Sequence, residues 1–265
     1  LCKESLAMTS HYFNLAGKTA LITGASSGLG AHFAKVLSRE GAHVILAARR
    51  SEALAEQVAQ VLDSGGSARA LTLDVTSPDS VVAGFESISA IEGTLDILIN
   101  NAGVGDEPKR FLETDESDWA WQMQTNLDGA WRVAREAARC MVSSQTHGSI
   151  VNIASIYGLN TGAMKIAYNV SKAGVVQLTK SMSIELCRHN IRVNSLCPGW
   201  FLTDINRAYF ETESGQRYIK GIPMRKLGEF KDLDIPLLML ASNTAGAYIT
   251  GSSVVVDGGI SETPI

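Results

Sequence analysis

Apolar residues in this chain fall into short unbroken runs, separated by longer stretches in which they recur every three or four positions. The short β-branched runs read as buried strands, and the three-to-four spacing reads as one face of a helix. Strands are expected at Thr19–Thr23, His43–Ala48, Ala68–Asp74, Leu95–Asn100, Ser149–Ala154, Ile191–Leu196 and Ser253–Asp257. Helices are expected at about 29–40, 51–63, 116–142 and 163–188. A further helix should open at Ser77-Pro78, with Ser77 as N-cap and Pro78 at the first helical position. Residues 200–240 read as an irregular segment running into a short apolar helix. Strands that alternate with helices imply βαβ units, hence a doubly wound α/β fold of seven mostly parallel strands with helices on both faces. No repeat, low-complexity tract or Pro/Ser-rich linker divides the chain. Residues 15–260 are therefore expected to form one domain, with 200–227 as a substrate lid and 1–14 as a flexible N-terminal extension in which Met8 is a candidate start.

Composition narrows the picture. At 265 residues, 45% of them hydrophobic, the chain can bury a full core. Its net charge of −4 is spread without acidic or basic blocks, so neither nucleic acid nor an anionic membrane is an expected partner. No apolar run approaches the ~18 residues that a membrane span needs, and residues 1–14 lack the apolar stretch of a signal peptide. The 4 cysteines (Cys2, Cys140, Cys187, Cys197) form no CxxC pair and read as reduced thiols of a cytoplasmic protein. The 5 histidines are scattered, so no metal site is expected.

Candidate chemistry concentrates between residues 149 and 172. Ser155 sits where a buried strand ends, and Tyr168 and Lys172 lie four positions apart, on one face of the following helix. An ammonium beside a phenol favours the phenolate and should lower the tyrosine pKa from ~10 toward neutrality, making a tuned acid. Ser155 could then hydrogen-bond the substrate oxygen that Tyr168 protonates. A helix bearing an ordinary tyrosine and a solvated lysine is the competing reading of that pair.

The first strand runs into a turn, Thr23-Gly24-Ala25-Ser26-Ser27-Gly28-Leu29-Gly30, and then a helix. Glycines there permit positive φ and close backbone approach, and the exposed N–H groups of a helix start suit a pyrophosphate. The same residues also spell G-x-S-x-G, the nucleophile elbow of a serine hydrolase centred on Ser26. That alternative needs an acid and a histidine late in the chain, and the last histidine is His189. After the second strand, where an acid would clasp a ribose 2′-hydroxyl, stand Ala47-Ala48-Arg49-Arg50. Two guanidiniums without a carboxylate favour a 2′-phosphate, hence NADP over NAD. Asp74 could accept from an adenine amino group or simply close a turn.

Together these residues resemble the short-chain dehydrogenases/reductases, over about residues 15–259. The glycine turn at 23–30 looks like that family's cofactor loop, Leu73-Asp74-Val75 like its adenine contact, and Asn100-Asn101-Ala102-Gly103 like its NNAG turn. Asn126, Ser155, Tyr168 and Lys172 fall where it places its catalytic tetrad. Pro198-Gly199-Trp200-Phe201 with Thr203 resembles its PGxxxT segment beside the nicotinamide. The resemblance implies a Rossmann-type domain that moves hydride between NADP(H) and a ketone or secondary alcohol. Tyr168 would be acid or base, Lys172 would tune it and hold the nicotinamide ribose, Ser155 would orient the carbonyl, and Asn126 would hold a relay water. No basic residue lies within Ala25-Ser26-Ser27, although some NADP-using members carry one there.

The lid and the loop 157–164 contribute Tyr157, Met164, Trp200, Phe201, Tyr209, Phe210 and Tyr218. Their aromatic character suits a 3-oxoacyl, cyclic or aromatic ketone; packing against the body or a subunit contact is the alternative use. An NAD-dependent alcohol, polyol or hydroxysteroid dehydrogenase is the runner-up, and a non-catalytic dinucleotide sensor is the reading from another class. By the resemblance, a homotetramer built on the helices at 116–142 and 163–188 and on the C-terminal strand is expected.

Overall fold

A computed structural model describes residues 12–105, 108–203 and 206–262. The expected N-terminal extension therefore lies almost wholly outside the described residues, as do two positions of the lid. Seven strands form one sheet: β1 (Thr19–Thr23), β2 (His43–Ala48), β3 (Ser67–Thr72), β4 (Ile97–Asn100), β5 (Ser149–Ile153), β6 (Arg192–Pro198) and β7 (Ser253–Val256). Their order is β3-β2-β1-β4-β5-β6-β7, and every pairing is parallel. The helices that cover it are α1 (Gly28–Arg39), α2 (Ser51–Asp63), α3 (Pro78–Ile91), α4 (Glu116–Gln122), α5 (Gly129–Ser143), α6 (Ile166–Leu186) and, after two short lid helices, α9 (Asp234–Ala241).

Strand side chains alternate between two cores because successive residues point to opposite faces. Ala20, Ile22, Val44 and Leu46 pack on one face with Phe33 and Leu37 of α1, Leu54 of α2 and Leu237 of α9. Leu21, Ile45, Leu98 and Ile150 pack on the other with Phe85 and Ile88 of α3 and with Val133, Ala137 and Met141 of α5. Both faces are covered, which is why the strands read as continuous apolar runs rather than alternating ones. The chain order reverses direction between β1 and β4, and that switch point opens a crevice at the carboxyl ends of the strands.

Most boundaries fall within one to three residues of expectation, and three of the departures have a visible cause. β3 stops at Thr72 because Asp74 leaves the sheet to bind its own neighbour: Thr76 donates to Asp74 Oδ1 through N–H (2.9 Å) and Oγ1 (2.7 Å). β6 continues to Pro198, since Cys197 and Pro198 still pair with Val255 and Val256. The expected helix at 116–142 is broken by a π-turn, Met123–Asp128, with Asn126 inside it.

Candidate active site

The crevice has two adjoining cavities that share Gly103 and Val104. The first, 270 Å³, is lined by Gly24, Ser26, Ser27, Arg49, Arg50, Asp74, Val75 and Ala102, among others. Gly24 adopts φ +66°, and a Cβ on Gly30 would collide with the Gly24 carbonyl, so the turn closes tightly only with glycine at both places. Ser27 occupies the N-cap of α1 without capping it by its side chain. The N–H groups of that helix start are thus left for an incoming anion. Arg50 Nη2 donates to Ser26 Oγ (3.0 Å) and Ser27 Oγ (3.2 Å), laying one guanidinium across the turn. Arg49 stands near Asp74; burial raises the Asp74 pKa, but the Thr76 hydrogen bonds and the Arg49 charge outweigh it and leave the carboxyl below its usual range. This donor set fits a pyrophosphate and a further phosphate. Among the described residues no histidine lines the cavity of Ser26; His32 pairs with Asp234 (2.6 Å), His43 bonds Ser67, and His189 takes a bond from Arg188. The described residues thus give the hydrolase alternative no histidine beside its serine.

The second cavity, 470 Å³, holds Ser155, Tyr157, Tyr168, Lys172, Pro198, Gly199, Trp200, Phe201 and Thr203, with Leu29 and Asn101 at its join to the turn. Lys172 is buried and donates from Nζ to the Ile153 carbonyl at the end of β5 (2.9 Å). Burial drives its pKa down to about 8. Its ammonium lies 5.7 Å from the Tyr168 ring centre. The expected lowering of the Tyr168 pKa is not what the structure gives: burial dominates and pushes the phenol up, the Ser155 hydrogen bond pulls it partly back, and the Tyr157 phenol adds to the rise. Desolvation wins because a phenolate there would have little water around it. Ser155 is itself held by the Tyr157 N–H (3.1 Å).

Asn126 lines neither cavity. It is buried behind them, donating to Val104 O (2.9 Å) and Ser171 Oγ (3.1 Å) while its Oδ1 accepts from Val104 N–H (2.7 Å). A Cβ on Gly103 would sit 3.3 Å from Asn126 Oδ1 and 3.5 Å from Lys172 Nζ, so these three positions converge. The π-turn that carries Asn126 shifts the helix register at that spot, a feature common at functional sites.

Asn101 is scaffold, donating from Nδ2 to Thr23 O (2.9 Å), while Thr23 Oγ1 accepts from the Asn101 (3.0 Å) and Ala102 (2.9 Å) amides. Thr23 and Ser171 were not singled out from sequence; each sits next to a motif, and its role is a contact between distant segments. Lys165 and Asn206 also line the second cavity, and no pattern flagged them. The lid contains two short helices, α7 (Arg207–Glu211) and α8 (Glu213–Gly221). Of its expected aromatic wall, Trp200 and Phe201 line the cavity. Phe210 and Tyr218 instead stack edge-on against Trp200 at 5.6 and 5.7 Å, and Tyr209 and Met164 are exposed. Packing accounts for Phe210 and Tyr218.

Known proteins share this arrangement. The Enoyl-(Acyl carrier protein) reductase family profile matches residues 24–261. A 3-oxoacyl-(acyl-carrier-protein) reductase of Vibrio cholerae is 35% identical over 247 residues, 93% of this chain and 98% of the relative. L-rhamnose 1-dehydrogenase (NAD(P)(+)) of Azotobacter vinelandii is 36% identical over 93% of this chain and 97% of its own. A gluconate 5-dehydrogenase from Burkholderia cenocepacia, solved with NADP and tartrate, superimposes with TM-score 0.91 at 32% identity, covering 97% of this chain and 100% of that one. With a parallel seven-stranded sheet, a glycine turn at its switch point and a serine, tyrosine and lysine in one cavity, the chain belongs to the short-chain dehydrogenase/reductase family of oxidoreductases.

Proposed function

We propose that the chain is an NADP(H)-dependent reductase that interconverts a ketone and a secondary alcohol. What carries this reading is one observation: the cavity of Ser155, Tyr168 and Lys172 adjoins, at Gly103, a cavity edged by Arg49 and Arg50. The α1 N-terminus and the glycine turn would hold the pyrophosphate, and Arg50, with Arg49, the 2′-phosphate. The dinucleotide supplies the hydride. Ser155 orients the carbonyl oxygen, and Tyr168, kept protonated by burial, donates its proton to the developing alkoxide. Lys172 offers a nearby positive charge and a hydrogen-bond donor for the nicotinamide ribose. Asn126 and its π-turn keep the Lys172 side supplied with protons through water. The complete set argues for chemistry over a sensor, since a binder needs no acid in its cavity.

Titrating NADPH and NADH against tryptophan fluorescence tests this. NADPH binding at least ten times tighter, about 1.4 kcal/mol, supports the arginine assignment. Equal or tighter NADH binding overturns it. One observation favours a second reading, oxidation of a polyol or hydroxy acid: gluconate and rhamnose dehydrogenases stand among the similar proteins. We also expect a homotetramer in which the groove between α5 and α6, with its half-exposed Trp131, is covered by another copy. Light scattering at a monomer mass would refute that.

A further inference from the structure

Ser171 stands between Tyr168 and Lys172 in α6 and takes no part in the proton transfer itself. It is fully buried, and its hydroxyl is committed twice. The O–H donates to the Tyr168 carbonyl (2.8 Å), and the oxygen accepts from Asn126 Nδ2 (3.1 Å). A hydroxyl has one hydrogen, so with that hydrogen on the Tyr168 carbonyl its lone pair is what faces the Asn126 amide. A serine within a helix commonly bonds back to the preceding turn and does nothing more. Here the same oxygen also reaches a different segment. Asn126 in turn clamps Val104, donating to its carbonyl (2.9 Å) and accepting from its N–H (2.7 Å). Val104 belongs to the wall that the dinucleotide and substrate cavities share. One chain of hydrogen bonds therefore runs from the backbone of the proton donor, through Ser171 and Asn126, to the joint of the two cavities.

Resting on the ketone-reductase reading, we infer that Ser171 is a positioning residue: its hydroxyl fixes the turn of α6 that carries Tyr168 to the Asn126 clamp, and so keeps the proton donor and Lys172 in register with the wall at Val104. The helix itself supplies a comparison. Thr179, two turns further along α6, is equally buried and bonded in the same way: its Oγ1 donates to Val175 O (2.8 Å) and accepts from Asn152 Nδ2 (2.9 Å). Thr179 lines neither cavity, and Asn152 is a buried residue of β5. The two hydroxyls are alike in what they give to stability and differ in what lies beyond them. Losing either leaves a buried amide hydrogen unpaired. At Ser171 the slackened contact also reaches the reacting groups, where small misplacements cost rate.

The test sets Ser171→Ala against Thr179→Val in NADPH-dependent reduction of ethyl 3-oxobutanoate, or of the best ketone in a screen where the wild type turns that ester over slowly. Both variants should lose Tm to a similar extent. Ser171→Ala should lose about 10-fold in kcat with KM and NADPH affinity held within about 2-fold, while Thr179→Val keeps kcat within about 2-fold. Added to Asn126→Ala, Ser171→Ala should cost less than about 2-fold further, because contacts within one chain of bonds are not additive. Equal kcat losses in the two single variants, or none in Ser171→Ala, make the hydroxyl a stability element and overturn the inference. A second loss just as large in the Asn126→Ala background shows Ser171 acting on Tyr168 without Asn126, and overturns it too. If Ser171→Ala does not fold, Ser171→Cys, whose thiol bonds weakly in both directions, carries the same comparison. If the wild type reduces no ketone with NADPH, the reductase reading itself falls and takes this inference with it.

Discussion

The two ends of the crevice are built from opposite materials. At the dinucleotide end the polar groups are exposed: Ser27, Arg49 and Arg50 lie at the surface, and the α1 N-terminus is uncapped. At the chemical end they are dry: Asn126 is 1%, Ser155 7% and Lys172 5% exposed. The contrast follows from what each end must do. A binding charge can stay hydrated until a ligand covers it, and its cost when empty is small. A group that acts on a developing charge works best where water does not compete, and it is paid for in desolvation, visible as the lowered Lys172 and raised Tyr168 pKa values.

The largest break in the contrast comes from Tyr168→Phe. Removing the proton donor should lower ketone reduction by about 10²–10⁴-fold while NADPH affinity, read by fluorescence, stays within about 2-fold, because the other end is untouched. A matched loss of binding would show that the two ends are not separable. The pH dependence sharpens the same point. Lys172 has a pKa of about 8, so it is charged below that value and neutral above it. Tyr168, raised, stays protonated across the range. Reductive kcat/KM is therefore expected to hold level below about pH 8 and to fall about tenfold per unit above it, the loss tracking the lysine and not the tyrosine.

The next effect belongs to the exposed end. Arg50→Ala removes a guanidinium already laid over Ser26 and Ser27. NADPH affinity should fall about 10- to 100-fold, roughly 1.4–2.7 kcal/mol, with NADH little changed and the NADPH preference shrinking as salt rises. Loss of both cofactors alike would make Arg50 a brace for the turn rather than a 2′-phosphate ligand.

How much of this was legible in the sequence follows the same division. The strand runs, the glycine turn, the paired arginines and the Tyr168/Lys172 spacing are local patterns, and the sheet places them as read. What escaped depends on through-space contact. Thr23 Oγ1 meets the Asn101 turn across 78 residues, and Ser171 meets Asn126 across 45. The π-turn at Met123–Asp128 left no mark in the apolar periodicity. The direction of the Tyr168 shift escapes the sequence for a related reason: the spacing to Lys172 is visible there, and the burial that outweighs it is not. Lid aromatics looked like pocket walls because residue type cannot say whether a ring faces the cavity or, like Phe210, the back of Trp200.

The smallest effect isolates the idea that an uncapped helix start is reserved for a ligand. α3 begins at the same edge of the sheet as α1, yet its N-cap Ser77 accepts from the Ser80 N–H at 3.2 Å, with Pro78 behind it. Ser77→Ala should remove about 1 kcal/mol of stability, a Tm loss of about 2–4 °C for a chain of this size, with NADPH affinity unchanged. Ser27→Ala should do the reverse. Its side chain caps nothing in the free protein, so the apoprotein Tm should barely move. NADPH affinity should weaken by several-fold through the lost hydroxyl and a loosened Arg50, about 0.5–1.5 kcal/mol. If Ser27→Ala instead lowers the apoprotein Tm as much as Ser77→Ala does, the α1 start is capped in solution after all. The two ends of the crevice would then differ in burial alone, not in what they hold back for the cofactor.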